Sequence, residues 1–331
     1  MGQHLHLPYL LVIRQIYPNN TQKKIIGAIH SLMVESKYFL FIYRSKDITM
    51  IDGYGFDKSA HDRIMKILDF FANYYWRIDV EGIENLPDES GAMIVMNHAG
   101  TIALDVLMIK QAIYRRSKLN RIAWALMADF LTWTPFVGDI YWRSGSVLAT
   151  WDNAKRLLED NHIIIVCPEG TKGVGKHYSR RYLLESFDRH GFARLAIHTK
   201  KPIIPTSVIG SEEIYPVVYK NKWLGDKLGF PFIPFTFTFP LLGPLGAIPL
   251  PSKWKIKFAE PIYPETYETK GTFQEKALEQ QTRFVETLYY CDEKKKLLNI
   301  APREKAIVDD VVKIIKRNIN ALLNQRKNIF F

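Results

Sequence analysis

Three short apolar runs constrain the fold of this chain most: MIVM at 93–96, IIIV at 163–166 and IIPTSV at 203–208. Uninterrupted apolar runs of this length, β-branched throughout in Ile163 to Val166, mark strands buried on both faces, as in parallel sheets covered by helices. Between them the apolar period lengthens. In Asp57 to Tyr75 the residues Ile64, Ile67, Leu68, Phe71 and Tyr75 recur at helical spacing. In Val147 to Asp160 the stripe is Leu148, Trp151, Ala154, Leu157 and Leu158. Ile102 to Tyr114 and Phe187 to Thr199 are further helices, and Arg77–Glu81, Ile122–Met127, Ile140–Trp142 and Trp254–Phe258 further strands. Strands alternating with helices predict an α/β fold: a mixed, largely parallel sheet of about seven strands flanked by helices.

Residues 57–265 form this domain. Residues 1–56 carry no motif and are an accessory N-terminal segment, with Lys23 to Val34 helical and Leu10–Ile16 and Tyr38–Tyr43 as strands or short helices. Residues 266–331 contain two amphipathic helices, Phe273 to Leu298 and Arg303 to Lys327. The second carries Ile307, Val311, Ile315, Ile319 and Leu322 on one face, to pack on the domain or on a membrane.

A chain of 331 residues with 47% hydrophobic content can bury one large core. Its formal charge of +11 favours an anionic partner. Zinc-finger cysteine spacing, an RNP-like aromatic sequence and a basic arm are all missing, which excludes the common nucleic-acid modules and leaves an anionic membrane surface. The 2 cysteines, Cys167 and Cys291, lie far apart, which fits a reducing compartment. The N-terminus has no secretory pattern and no stretch of about twenty apolar residues occurs. A peripheral or monotopic protein on the cytoplasmic face of a membrane is expected. The uncharged stretch Leu228 to Ser252 is too rich in proline for a continuous helix. It predicts a semi-rigid apolar surface that lines an apolar channel or dips into a bilayer, or else an apolar loop folded under the sheet.

Two motifs carry chemistry. The run at 93–96 feeds into Asn97-His98, and Asp105 follows on an apolar segment entered through Ala99-Gly100, with Thr101 as expected helix cap. A neutral imidazole takes a proton near pH 7 while a carboxylate fixes its tautomer. The run at 163–166 opens into Pro168-Glu169-Gly170-Thr171-Lys172-Gly173. The carboxyl ends of parallel strands are where α/β sheets bind ligands. Gly170, Gly173 and Gly175 would let backbone amides approach an anion, and Lys172 and Lys176 add charge. GTKGVGKH places His177 where a nucleotide loop needs a Ser or Thr. The chain has no metal-binding motif and no G-x-S-x-G elbow.

Together these blocks resemble the glycerolipid acyltransferase superfamily. Its Asn-His…Asp block is matched by Asn97, His98 and Asp105. Its glycine-to-arginine block is matched by Gly138 and Arg143, its Pro-Glu-Gly-Thr block by Pro168 to Thr171 followed by Lys172, and its Pro-rich strand by Lys201 to Gly210. Six residues separate His98 from Asp105 where four are commoner, Ala103 occupies the usual acid position, and Lys172 replaces an arginine. The longer spacing resembles a branch that includes diacylglycerol-type acyltransferases.

The resemblance implies transfer of a fatty acyl group from acyl-CoA or acyl carrier protein, as co-substrate with no bound cofactor and no metal, to a glycerolipid hydroxyl such as that of lysophosphatidate. His98 is the general base and Asp105 its orienting acid. Asn97, Arg143, Glu169, Gly170, Thr171, Lys172 and Lys176 bind substrate, with Arg143 and Lys172 on the acceptor's anionic group. The alternatives are a neutral acceptor such as diacylglycerol, a non-catalytic membrane lipid-binding protein, and hydrolysis.

Overall fold

The computed structural model describes residues 55–132, 134, 137–187, 190–267, 302–326 and 328. Nearly all of the N-terminal accessory segment and the helix expected over Phe273 to Leu298 lie outside the described residues. Seven strands form the main sheet: β1 (Asp79–Glu81), β2 (Ala92–Met96), β3 (Ala123–Met127), β4 (Ser146–Leu148), β5 (Ile163–Val166), β6 (Ile203–Ile209) and β9 (Lys255–Phe258), in the order β1-β9-β6-β2-β5-β3-β4. The run from β6 to β4 is parallel throughout, while β9 pairs antiparallel with β6 and parallel with β1. The sheet is therefore mixed and mostly parallel, as the strand runs predict.

Side chains along the central strands alternate between two cores, the period of two that a pleated strand imposes. Ile94, Met96, Ile163, Ile165 and Ile204 face one, which α1 (Lys58–Phe70) and α2 (Leu104–Arg116) cover. Met93, Val95, Ile164, Val166 and Ile203 face the other, under α4 (Trp151–Glu159), α6 (Gly191–Thr199) and α8 (Pro302–Gln325). The C-terminal helix thus packs on the sheet with Ile307, Val311, Ile315, Ile319 and Leu322 buried. Ser207 on β6 donates to the Ile315 carbonyl at 3.3 Å. Beyond its end, Arg326 clasps the buried Glu213 carboxylate at 2.6 Å.

Several local expectations are corrected. Ile140 to Trp142 is not a strand but part of α3 (Val137–Arg143). Three apolar residues do not define a period, and helical geometry both pairs Asp139 with Arg143 and lets the buried Tyr141 hydroxyl donate to the Ala103 carbonyl at 2.7 Å. The missing strand is β4, cut from what the stripe assigns to a helix beginning at Val147. Thr150 caps α4 through the Asn153 amide and sets the later start. Gly191 rather than Phe187 opens α6. Asp57 caps α1, whose inner face is His61, Met65 and Leu68, because the His61 ring packs on Phe56 and Tyr114; Ile67 is turned outward. Past α6, β7 (Val217–Asn221), α7 (Lys222–Leu228) and β8 (Ile233–Thr236) build a separate two-stranded antiparallel ribbon.

Ile315 is fully buried between α8 and the sheet. Ile315→Ala is expected to lower unfolding stability by about 2–5 kcal/mol, measured by chemical denaturation of the whole chain, without altering the slope of the transition.

Candidate active site

At the carboxyl end of β2 the chain enters a tight turn. Gly100 and Ala103 both adopt positive φ, 76° and 52°, and the Ala103 amide donates to the Gly100 carbonyl at 2.9 Å. Ala103, not Thr101, occupies the N-cap position of α2. The turn doubles the chain back so that Asp105, in the first turn of α2, faces His98. His98 Nδ1 lies 2.9 Å from Asp105 Oδ2. The same oxygen accepts from the Ala99 amide at 2.8 Å, and Oδ1 accepts from the Val106 amide at 2.9 Å. Asp105 is 0% exposed. A charge so placed is tolerable only when it is paired and hydrogen-bonded, and a helix N-terminus adds a favourable dipole.

This contact assigns the proton of the neutral ring to Nδ1 and leaves Nε2 as the acceptor. Burial is the largest influence and opposes protonation of His98, but the Asp105 charge, Cys167 and the hydrogen bonds to both together hold the imidazole well above its ordinary value. Cys167, at the end of β5, lies within hydrogen-bonding reach of the same ring. Burial pushes its thiol up despite His98, so it stays protonated and is a poor nucleophile.

The second motif buttresses the first. The Glu169 carboxylate accepts from the His98 amide at 2.7 Å and from the Glu185 amide at 2.7 Å, and Lys176 lies 3.4 Å from it. Its burial raises its pKa against the pull of Lys176. Gly173 lies against the His98 backbone so closely that a Cβ there would sit 2.7 Å from the His98 carbonyl oxygen. Asn97 spans to β6, donating to the Val208 carbonyl at 2.9 Å and accepting from its amide at 2.8 Å.

The structure places the expected substrate-binding residues as follows. Asn97 ties β2 to Val208 of β6, and Glu169 holds the backbone amides of His98 and Glu185. The glycine loop is not an amide cradle: the Gly170 amide donates to Cys167, that of Gly173 to Gly170 and that of Gly175 to Thr171. Lys176 is buried between Glu169 and Glu212, the latter at 3.0 Å. Arg143 pairs with Asp57 at 3.1 Å and Asp139 at 3.0 Å. Lys172 is exposed on the short helix α5 (Thr171–Val174), and Thr171 is half-buried.

Next to Gly173, which packs on His98, a small, partly open cleft of about 10 Å³ is lined by Gly100, Gly173, Tyr215 and Val217. Arg181 and Tyr178 also line it. Burial raises the pKa of Glu212, at its wall, to about 7 in spite of Lys176. Arg181 lies with its guanidinium carbon 4.6 Å from the Tyr178 ring centre, and among the described residues no carboxylate pairs with it. Sequence reasoning misses Arg181 because nothing around it repeats a motif; only the turn after α5 brings it to the cleft.

A protonatable ring held by a buried acid thus lies at the carboxyl ends of the parallel strands, where α/β sheets bind ligands. Residues 77–209, about two fifths of the chain, match the family model described as Acyltransferase. An uncharacterized protein of Mycobacterium leprae is 43% identical over 218 residues, covering 66% of this chain and 59% of that one. The "DGAT1/2-independent enzyme synthesizing storage lipids" of Bos taurus is 23% identical over 209 residues, covering 61% of each. The chain spans about three fifths of the length of the curated relatives it matches. The crystal structure of the 1-acyl-sn-glycerophosphate (LPA) acyltransferase PlsC from Thermotoga maritima aligns with a TM-score of 0.48 at 18% identity, covering 94% of this chain and 98% of that one.

A raised folded-state pKa for His98 means that its pairing with Asp105 stabilises the fold fully below the ordinary imidazole value of about 6.5, and that this contribution is lost as pH rises through the higher value. Melting temperatures of the wild type should therefore fall from about pH 6 toward pH 9 more steeply than those of Asp105→Asn, in which the carboxylate charge no longer opposes burial of the ring.

Proposed function

We propose that the chain is a membrane-associated O-acyltransferase that moves a fatty acyl group from an acyl thioester to a glycerolipid hydroxyl. The observation that carries this reading is the 2.9 Å contact of His98 with the buried Asp105 near a small, partly open cleft. His98 Nε2 takes the proton of the acceptor hydroxyl as its oxygen attacks the thioester carbonyl. The tetrahedral intermediate collapses with loss of the C–S bond, and His98 returns the proton to the departing thiolate, leaving an ester and a free thiol. Asp105 balances the imidazolium between the two steps. Direct transfer is favoured over an acyl-enzyme because the thiol nearest His98 is held protonated. The donor is acyl-CoA or acyl-ACP, and no further cofactor enters the scheme.

General-base help of this kind contributes roughly 10²- to 10⁴-fold. His98→Ala is expected to lower thiol release from acyl thioesters, in the presence of acceptor, by that factor while keeping the wild-type circular dichroism spectrum. A folded, fully active His98→Ala would overturn the assignment. Activity should rise with pH along a limb above about 6.5, because only the neutral ring accepts a proton, and Asp105→Asn should move that limb to lower pH.

Two acceptor classes have support. An anionic acceptor such as lysophosphatidate is favoured by Arg181, a guanidinium at the cleft with no carboxylate partner among the described residues. A guanidinium matches a phosphate with two parallel hydrogen bonds. A neutral acceptor such as diacylglycerol is favoured by the relative whose name refers to storage lipids and by the pairing of Arg143 with two aspartates. Arg181→Ala separates them. With an anionic acceptor, KM for lysophosphatidate should rise at least about tenfold with little change in kcat, and Arg181→Lys should recover part of it. With a neutral acceptor, turnover of diacylglycerol should be indifferent to either change.

Among the described residues no helix is long and apolar enough to cross a membrane. Peripheral association with the anionic, cytoplasmic face of a membrane is the mode of attachment this reading requires, since glycerolipid acceptors reside in bilayers.

A further inference from the structure

Residues 228–252 carry no charge, and the fold leaves several of their large apolar side chains uncovered. Leu241 is 85% exposed, and Phe237, Leu242, Leu245 and Ile248 are exposed with it. They sit on the loop beyond β8, built from a turn and the short helix Gly243–Ala247. A second apolar surface lies at the far end of α1 and in the turn beyond it, where Phe70 is exposed and Tyr74 is 74% exposed. The two are joined although about 170 residues separate them in sequence: Tyr75 donates through its hydroxyl to the Pro249 carbonyl at 2.7 Å, and the Trp76 indole donates to the Leu250 carbonyl at 3.2 Å. A contiguous exposed apolar face of this kind marks an interaction surface.

Its border is basic and aromatic. β7 and α7 place Lys220, Lys222 and Lys227 beside the face, against one acid, Asp226. Lys227 lies 4.2 Å from the ring centre of the exposed Trp223. Apolar residues at the centre with aromatic rings and lysines around them match the hydrocarbon, interface and anionic headgroups of one bilayer leaflet. The face is also continuous with the cleft. The Phe237 ring contacts that of Tyr178 at 5.6 Å, and Tyr178 and Val217 both line the cleft. Phe232 closes on Gly175, where a Cβ would meet its ring at 2.5 Å.

We infer that the face made by residues 228–250 and the outer end of α1 docks on an anionic bilayer and admits acceptor lipid sideways into the cleft. The inference rests on the acyltransferase reading only for what passes through; the docking stands by itself.

The test uses the full chain and vesicles of phosphatidylcholine with about a third phosphatidylglycerol. Leu241→Asp/Leu245→Asp should lower the vesicle-bound fraction in flotation at least about tenfold. Leu119→Asp, a control at another exposed leucine in the turn before β3, should not. In vesicle-free buffer, thiol release with a water-soluble short-chain acceptor should stay within about twofold of wild type, while turnover of vesicle-borne acceptor falls with binding. Leu241→Trp, which introduces no charge, should be quenched by lipids with brominated tails. Wild-type flotation of the double aspartate variant, absence of quenching at Leu241→Trp, or a dimer that only the aspartate variant dissociates would each overturn the docking. Docking without any thiol release would leave it standing and refute the acyltransferase reading instead.

Discussion

A single carboxylate holds the centre of this molecule together. Asp105 accepts from the His98 ring, the Ala99 amide and the Val106 amide, and so fastens the end of β2, the turn and the start of α2 in one arrangement. None of those donors is dispensable to a buried negative charge, since losing any one leaves desolvation uncompensated. The turn that makes this possible runs through Ala103 in a left-handed conformation, a strained backbone for a residue with a Cβ. It costs energy locally and is held because three hydrogen bonds and the packing of α2 on the sheet require it.

Around that centre, residues of both sequence motifs hold the backbone in place. Glu169 reaches from β5 to the His98 amide and Asn97 reaches from β2 to both polar groups of Val208, so three adjacent strands share the task of fixing one ring. Lys176 follows the same logic at one remove, neutralising Glu169 and Glu212 where two buried acids would otherwise repel. A general base must be held to within a fraction of an ångström to be effective. Rigidity of this kind comes from strands and buried charge pairs rather than from the loop on which the motif is written.

How much of this could be read in the sequence follows from the range of the forces involved. The buried strands were legible because a doubly covered strand needs an uninterrupted apolar run, and His98 with Asp105 because seven residues is within reach of one turn and one helical turn. The exchange of strand for helix at 137–148 was not, because IYW and SVL are too short for a period and the decision falls to the Tyr141 hydroxyl and the Thr150 cap. The fate of Lys176 and Arg143 was closed to sequence reasoning for another reason. Each has one partner close in sequence, Glu169 and Asp139, but the others, Glu212 and Asp57, lie 36 and 86 residues away, and nothing local announces a pairing made by tertiary structure.

The apolar segment at 228–252 shows the converse. Its prolines and lack of charge announce a surface that water does not favour, yet the same composition serves a core loop, a channel wall or a membrane contact. Exposure decides against the core, since Leu241 and its neighbours remain uncovered. Position then connects it to chemistry: the ribbon of β7 and β8 that carries the segment also supplies Val217 to the cleft. An enzyme whose acceptor is dissolved in a bilayer gains by opening its site at the bilayer's own level, because the lipid tail then need not pass through water, at about 0.8 kcal/mol for each methylene that would be exposed. The placement of the cleft beside the apolar face, with Gly173 between it and His98, fits that physical demand without a membrane-spanning helix among the described residues.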